Sequence, residues 1–290
     1  MTISIVTPSY NQAPFLEQCI LSVLQQPHRP LEYIVMDGGS RDGSVEIIQR
    51  HADRLAAWAS EPDGGQYDAI NKGFARSTGE IMSWLNSDDQ LTPWALSIVA
   101  EIFASCPEVE WLTTLSQIRW DAQGRAVRCL PQGGFSRAGF LAGENLPRDH
   151  AFSTGWIQQE STFWRRSLWE KAGGEVGARF RLAGDFDLWA RFFQHAELYG
   201  VETPLGGFRF HGEQKTGAGH ATYLEEAETI LREQGGVRHG VLRRALRRLG
   251  HESCPRQLRG MAVRAGLRHP VKICRHSRRS GMWEVVTSSN

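Results

Sequence analysis

Leu31-Glu32-Tyr33-Ile34-Val35-Met36 runs directly into Asp37-Gly38-Gly39-Ser40-Arg41-Asp42-Gly43. The first six residues read as a buried strand and the Asp/Gly/Ser stretch as the turn that ends it. The pattern recurs on both sides. Ile3–Thr7 is a short β-branched run that ends in Pro8-Ser9-Tyr10-Asn11. Ala57–Ser60 is a weaker run before Glu61-Pro62-Asp63-Gly64-Gly65, and Glu80–Leu85 leads into Asn86-Ser87-Asp88-Asp89. Helical patterns fill the gaps. Phe15, Leu16, Cys19, Ile20, Val23 and Leu24 recur at helical spacing until Pro27 and Pro30, residues 44–55 form a second helix, and Gln66–Arg76 carries Tyr67, Ile70 and Phe74 on one face. Thr92-Pro93 is expected to open a fourth helix as N-cap and first helical residue. Four strand–helix alternations predict an α/β fold, a mostly parallel sheet with helices on both faces.

The pattern loosens afterwards. Glu110–Trp120 alternates like a strand, 121–150 reads as a loop or mobile insertion, and Ile157–Arg165 is strand-like. Asp185–His195 is amphipathic, with Phe186, Trp189, Phe192 and Phe193 inward; Leu205–His211 reads as a closing strand and Thr222–Gln234 as a helix. The expected division is a first domain over 1–220 and a basic helical extension over 221–290, with a break in composition at Gly235-Gly236.

At 290 residues, 41% hydrophobic and 22% charged, the chain carries enough apolar material for a sizeable core, which excludes collagen-like, disordered and disulfide-scaffold classes. Five cysteines without a Cys-x-x-Cys pair argue against a disulfide framework or a structural zinc site. The longest apolar stretch, Trp94–Ala100, is far short of the ~20 residues of a membrane span. With no basic leader before Pro8, the N-terminus reads as the first strand of a cytoplasmic protein. The net charge of +1 conceals a split: residues 231–290 hold 14 Lys+Arg against three Asp+Glu, leaving 19 basic and 29 acidic side chains on the rest. A basic tail on an acidic body points to an anionic partner for the tail.

In open parallel sheets ligands bind at the carboxyl ends of the strands, where the four polar clusters converge. The resulting edge is acidic, with Asp37, Asp42, Asp63, Asp88 and Asp89. No Gly-x-Gly-x-x-Gly follows the first strand and no Gly-x-x-x-x-Gly-Lys-Ser/Thr occurs, so neither a dinucleotide fold nor a P-loop is supported. Such an edge accepts a diphosphate only when a divalent cation bridges it, and Mg²⁺ is held by one or two carboxylates plus phosphate oxygens. Asp88 and Asp89 are the first candidates. Helix capping would be their structural use, but Thr92 is expected to supply that cap.

Six ordered segments, Val6–Gln12, Tyr33–Gly43, Ser60–Phe74, Thr78–Glu80, Trp84–Asp89 and Gly184–Arg191, together resemble the family 2 glycosyltransferases of GT-A fold, over about residues 2–215. The resemblance implies an inverting sugar transfer from a nucleotide-diphosphate donor, a UDP- or dTDP-sugar, assisted by Mg²⁺ or Mn²⁺. By motif, Pro8 and Tyr10 line the base pocket, Asp37 accepts from the uracil imide, and Asp42 sits near the same wall. Asn71 and Lys72 border the donor, although Lys72 also suits a helix surface. Asn86-Ser87-Asp88 occupies the Asp-x-Asp position with Asn in place of the first Asp, which moves metal and ribose binding onto Asp88 and Asp89 without ranking them. Asp185 matches the catalytic base of the Glu-Asp motif, with Gly184 where the Glu stands. Capping the helix that carries Trp189 is a compatible role for Asp185, and Asp187 with Arg191 reads as an i,i+4 pair.

Trp156, Gln158, Gln159, Glu160, Trp164 and Arg165 lie where this family builds its acceptor wall, although most of ten tryptophans must be core. His211 either closes over the diphosphate or is an ordinary satisfied histidine. In the tail, Val237, Val241, Leu242, Ala245, Leu246 and Leu249 form a stripe opposite five arginines, a weaker stripe spans 258–265, and Ser277–Ser280 and 287–290 read as a frayed end. Anionic lipid, the acidic body and nucleic acid are three partners open to such a tail. A saccharide or lipid-linked acceptor favours peripheral contact at the inner face of the cell membrane, and no reading module supports nucleic acid. Two other classes share the sheet: a sugar-1-phosphate nucleotidylyltransferase, which needs a Gly-rich, Arg-bearing first loop, and a non-catalytic nucleotide-sugar binder.

Overall fold

The computed structural model describes residues 1–147, 155–212, 215–236 and 269–288. Its first half follows the expected alternation: β1 (Ile3–Ser9), α1 (Ala13–Leu24), β2 (Leu31–Asp37), α2 (Ser44–Arg50), β3 (Ala57–Ser60), α3 (Gln66–Phe74) and β4 (Ile81–Trp84). β1 lies between β2 and β4, parallel to both, and β3 continues the parallel set beyond β2. Their carboxyl ends therefore open on one edge.

Then come β5 (Gln90–Leu91), α4 (Ala95–Ser105), β6 (Trp111–Thr114), β7 (Ser116–Trp120), β8 (Ala126–Pro131) and α5 (Arg137–Leu141). The chain continues through β9 (Phe163–Arg165), α6 (Arg166–Lys171), α7 (Gly184–Phe192), β10 (Leu198–Val201), β11 (Gly206–Arg209), α8 (Lys215–Glu233), β12 (Val271–His276) and β13 (Trp283–Ser288). Nine strands form the main sheet in the order β13-β12-β10-β6-β9-β4-β1-β2-β3; β5-β11-β7-β8 form a second. β9 and β13 run antiparallel to their neighbours in an otherwise parallel main sheet.

Several expectations are corrected. The fourth helix starts at Ala95, not at Pro93, because Thr92 is drawn into the second sheet: its amide donates to Leu205 O at 2.9 Å and its hydroxyl to Pro204 O at 3.1 Å. Residues 121–150 are no plain loop. The Asp121 carboxylate accepts from the amides of Gln123 and Arg125 and closes a hairpin from β7 into β8. Ile157–Arg165 is strand only from Phe163, after a 3₁₀ turn at Gln159–Ser161 that packs under Gly206; a Cβ there would stand 2.3 Å from Glu160 O. Of the expected frayed end, Ser277–Ser280 lies in the turn between β12 and β13, and Thr287 and Ser288 close β13; the two strands extend the main sheet beyond β10. Residue 220 falls within α8. The tail's amphipathic stripes, 237–249 and 258–265, lie outside the described residues. Among the described residues no helix is long and apolar enough to cross a membrane.

Tryptophans build the core between the main sheet and α7. Trp84, Trp111, Trp164 and Trp189 are each at most 1% exposed, and Trp189 stacks on Trp84 with centroids 5.9 Å apart and planes 8° from parallel. On this side α3 lies so close to β1 that a Cβ on Gly73 would meet Val6 Cγ1 at 2.4 Å. Gly73→Ala is therefore expected to push α3 outward and to destabilise by about 1–3 kcal/mol, visible as a lower urea midpoint with an unchanged slope.

Candidate active site

The loops after β1 and β2 are laced together by side chains. Asp37 is 2% exposed and accepts from the Gly39 and Ser40 amides at 3.1 and 2.8 Å and from the Ser60 hydroxyl at 2.7 Å. Asn11, at φ 51°, donates its amide to Ser40 Oγ and accepts from the Arg41 amide. Asp42 accepts from the Ser44 amide at 3.0 Å and from the Ala13 amide at 2.9 Å, so one carboxylate serves the starts of α2 and α1. These hydrogen bonds hold it below the usual carboxylate range against the opposing effect of burial. Pro8 is buried within β1, whereas the Tyr10 ring is 59% exposed. A Cβ on Gly38 would stand 2.8 Å from Asp63 Oδ2 and 3.2 Å from the Tyr10 ring, so only glycine lets both side chains close against this loop.

Asn71 and Lys72 point elsewhere. The Asn71 carboxamide both donates to Val176 O at 2.9 Å and accepts from Val176 N at 2.8 Å, clamping the segment before α7. Lys72 pairs with Asp68 at 3.0 Å on the helix surface.

The Asn86-Ser87-Asp88-Asp89 turn divides its work between the two aspartates. Asp89 is 1% exposed; its Oδ1 accepts from the Arg209 amide at 2.9 Å and its Oδ2 from Asn86 Nδ2 at 3.3 Å. The aspartate thus has a structural duty other than the helix capping considered for it: it ties this turn to β11. Burial, and after it the Asp88 charge, push the Asp89 carboxyl up. Asn86 also accepts from Gln66 and donates to Gln159. An aspartate at 86 would set a carboxylate against two acceptors, which accounts for Asn where the family motif has Asp. Asp88 uses its carbonyl to accept from Arg209 Nε, while its carboxylate, 23% exposed, lies 3.0 Å from His211 Nε2. His211 in turn packs on Phe15 at 4.2 Å.

Asp185 stands in the first turn of α7, which three outside groups anchor. Glu226 of α8 accepts from the amides of Arg181, Leu182 and Ala183, at 3.0, 2.9 and 2.8 Å. The Tyr67 hydroxyl of α3 accepts from Gly184 N and donates to Leu182 O. Tyr223 donates to the Asp185 carboxylate at 3.3 Å. A Cβ on Gly184 would lie 2.6 Å from the Tyr67 ring, so no glutamate fits at this position of the motif. Burial raises the Asp185 carboxyl to about 6, against hydrogen bonds from the Phe186 amide and Tyr223 that favour the charge. Asp187 pairs with Arg191 at 3.0 Å, as the i,i+4 spacing suggests.

Glu160 links the two acidic centres. It is 4% exposed, its Oε1 has no hydrogen-bond partner, and burial raises its carboxyl to about 7, with the charges of Asp88 and Asp185 adding to the rise. Glu226, Tyr223 and Arg209 escape the sequence reading because their contacts join residues 38 to 121 positions apart. Only the hydroxyl- and carboxyl-bearing character of α8 hinted at them.

A hard divalent ion fits this corner in one way. Among the described residues no cluster of three or more ligating side chains stands ready, so these residues form no protein cage. The donor set is the Asp88 carboxylate, with His211 beside it, and that matches an ion whose remaining ligands are phosphate oxygens and water. Asp89 is spent on Arg209.

The glycosyl transferase family 2 profile matches residues 4–118. An uncharacterized glycosyltransferase of Nostoc is 37% identical over 79% of this chain and 71% of its own length. One of Mycobacterium tuberculosis is 32% identical over 60% of this chain and spans 62% of that relative. Among solved structures, Staphylococcus aureus TarS in complex with UDP-GlcNAc superposes with a TM-score of 0.57, covering 100% of this chain and 97% of that one at 13% identity. With the parallel β1–β4 edge and its acidic turns in place, the chain belongs to the family 2 glycosyltransferases and has their GT-A fold.

Proposed function

We propose that this chain transfers a sugar, with inversion, from a UDP- or dTDP-sugar to a hydroxyl of a saccharide or lipid-linked saccharide. The observation that carries the reading is the placement of two carboxylates of different character around Glu160. Asp88 is partly exposed on the donor corner, and Asp185 is raised to about 6 at the head of α7.

The Asp185 carboxylate takes the proton of the attacking hydroxyl, whose oxygen bonds to the anomeric carbon. The bond from that carbon to the diphosphate oxygen breaks on the opposite face, and its electron pair leaves with the diphosphate. A group near pH 6 is ionised at neutral pH yet basic enough to assist. Tyr223 aims the carboxylate, while Glu226 and Tyr67 fix the turn that carries it. Asp88, with His211 beside it, would hold Mg²⁺ or Mn²⁺, which would neutralise charge on the departing diphosphate. The exposed Tyr10 ring suits stacking on a nucleobase, with Pro8, Asp37 and Asp42 shaping its wall. Cys19 is buried and its thiol is pushed up to about 12, so it is no nucleophile.

A thermal-shift panel of UDP, dTDP, GDP and CMP, each with Mn²⁺ or EDTA, tests the donor half. A ligand at a hundredfold excess over Kd stabilises by ~2.7 kcal/mol. A Mn²⁺-dependent rise in Tm with UDP or dTDP is expected; no rise with any nucleotide would overturn the assignment.

A further inference from the structure

The second sheet carries a cation that the donor reading does not use. Arg119 of β7 lies opposite Arg128 of β8 in the antiparallel register. Its guanidinium carbon stands 4.9 Å from the Phe210 ring centroid and 5.4 Å from that of Trp156. Such stacking fixes the plane of an arginine and does not use up its N–H donors.

Two independent features make this more than a packed arginine. The Arg119 Nε is buried and has no hydrogen-bond partner. Its cross-strand neighbour bears the same charge, a pairing that costs stability, and among the described residues no carboxylate forms an ion pair with either guanidinium. Burial, and after it the Arg128 charge, pull the Arg119 guanidinium below its usual value. An anion between the two would offset the like-charge pairing, since guanidinium groups match carboxylate and phosphate oxygens in pairs.

The place fits the acceptor. Phe210 follows Arg209, whose amide is held by Asp89, and precedes His211, which lies against Asp88. Trp156 opens the segment that ends at the buried Glu160, and its carbonyl accepts from Gln117, two residues before Arg119 on the same strand. Phe210 is 45% exposed, so the clamp has an open side on which a sugar ring can pack. We propose that Arg119, clamped between Trp156 and Phe210 and opposed by Arg128, binds a carboxylate or phosphate group carried by the acceptor saccharide. The acceptor is then an anionic glycan, which deepens the glycosyl-transfer reading and rests on it.

Saturation-transfer NMR on the full chain, with UDP and Mn²⁺ present, compares methyl glucoside, methyl glucuronide and glucose 6-phosphate. At least one anionic probe is expected to bind about tenfold or more tightly than methyl glucoside, and which one does so separates a uronic acid from a phosphate-bearing acceptor. Arg119→Gln should erase the preference and leave UDP affinity unchanged. Arg128→Glu, at an exposed position where folding is not at stake, should weaken or reverse it. Equal binding of the three probes by the unaltered protein overturns the proposal, as does a preference that survives both substitutions. Loss of UDP binding in the unaltered protein would instead sink the donor-site reading, a result separate from the saccharide preference.

Discussion

Asp185→Asn is expected to lower kcat by about 10²–10⁴-fold, the range a positioned general base contributes, with the UDP-dependent rise in Tm retained. The amide keeps the shape of the carboxyl and can still accept from Tyr223, so α7 and its three anchors remain in place. Only the capacity to take a proton is lost. Asp185 touches neither Asp88 nor His211 by hydrogen bond, which separates its effect from donor binding. Transfer at more than a tenth of the original rate would remove Asp185 as the base, and Glu160 would become the first group to test.

The same carboxyl sets two pH dependences of opposite sense. Activity needs the ionised form, so kcat should fall tenfold per unit as pH drops below about 6 and be level above it. Stability runs the other way. The folded-state value lies above the unfolded 3.8, so the folded chain holds the proton more tightly. That contribution is fully present below about pH 4 and is lost as pH rises through about 6. Asp185→Asn should therefore be at least as stable as the parent at pH 8, with the advantage vanishing near pH 4. Urea unfolding at the two pH values checks the sign.

Legibility in the sequence followed locality. β1 to β4 and their polar ends were readable because each strand is a continuous apolar run closed by turn residues, and the parallel order follows from alternation alone. β8 was hidden since Ala126–Pro131 lies exposed on an edge and carries Arg, Cys and Pro rather than an apolar face. β12 and β13 were hidden because their reason to be strands is pairing with β10, some seventy residues earlier in the chain. The site behaves alike. The motif residues stand where chain order puts them, but what each does depends on partners from afar. Asn71 reads as a donor neighbour by its motif, but nothing local signals that its carboxamide also clamps both ends of Val176. Asp42 reads as a nucleoside neighbour, and only the folded chain shows that its carboxylate also holds two helix starts.

The second large effect separates neighbours that the sequence left unranked. Asp89→Ala is expected to cost the fold and Asp88→Ala the function. Removing the Asp89 carboxylate strands the buried Arg209 amide, about 1–3 kcal/mol for an unsatisfied buried donor. It also takes the largest opposing charge from a guanidinium that is 0% exposed. Arg209 carries β11, which pairs with both β5 and β7, so the loss spreads through the second sheet. Asp88 is different: its carbonyl holds Arg209 Nε and survives substitution, and only the partly exposed carboxylate beside His211 disappears. Its stability should fall by only about 0.5–1.5 kcal/mol, the net worth of the one hydrogen bond lost to His211. The Mn²⁺-dependent part of UDP affinity should fall at least about tenfold, ~1.4 kcal/mol. Urea unfolding paired with UDP titrations in Mn²⁺ and in EDTA reads both effects. If Asp88→Ala kept its full Mn²⁺ response while a folded Asp89→Ala lost it, the metal-holding role would pass to Asp89 and Arg209 would have to move to release it.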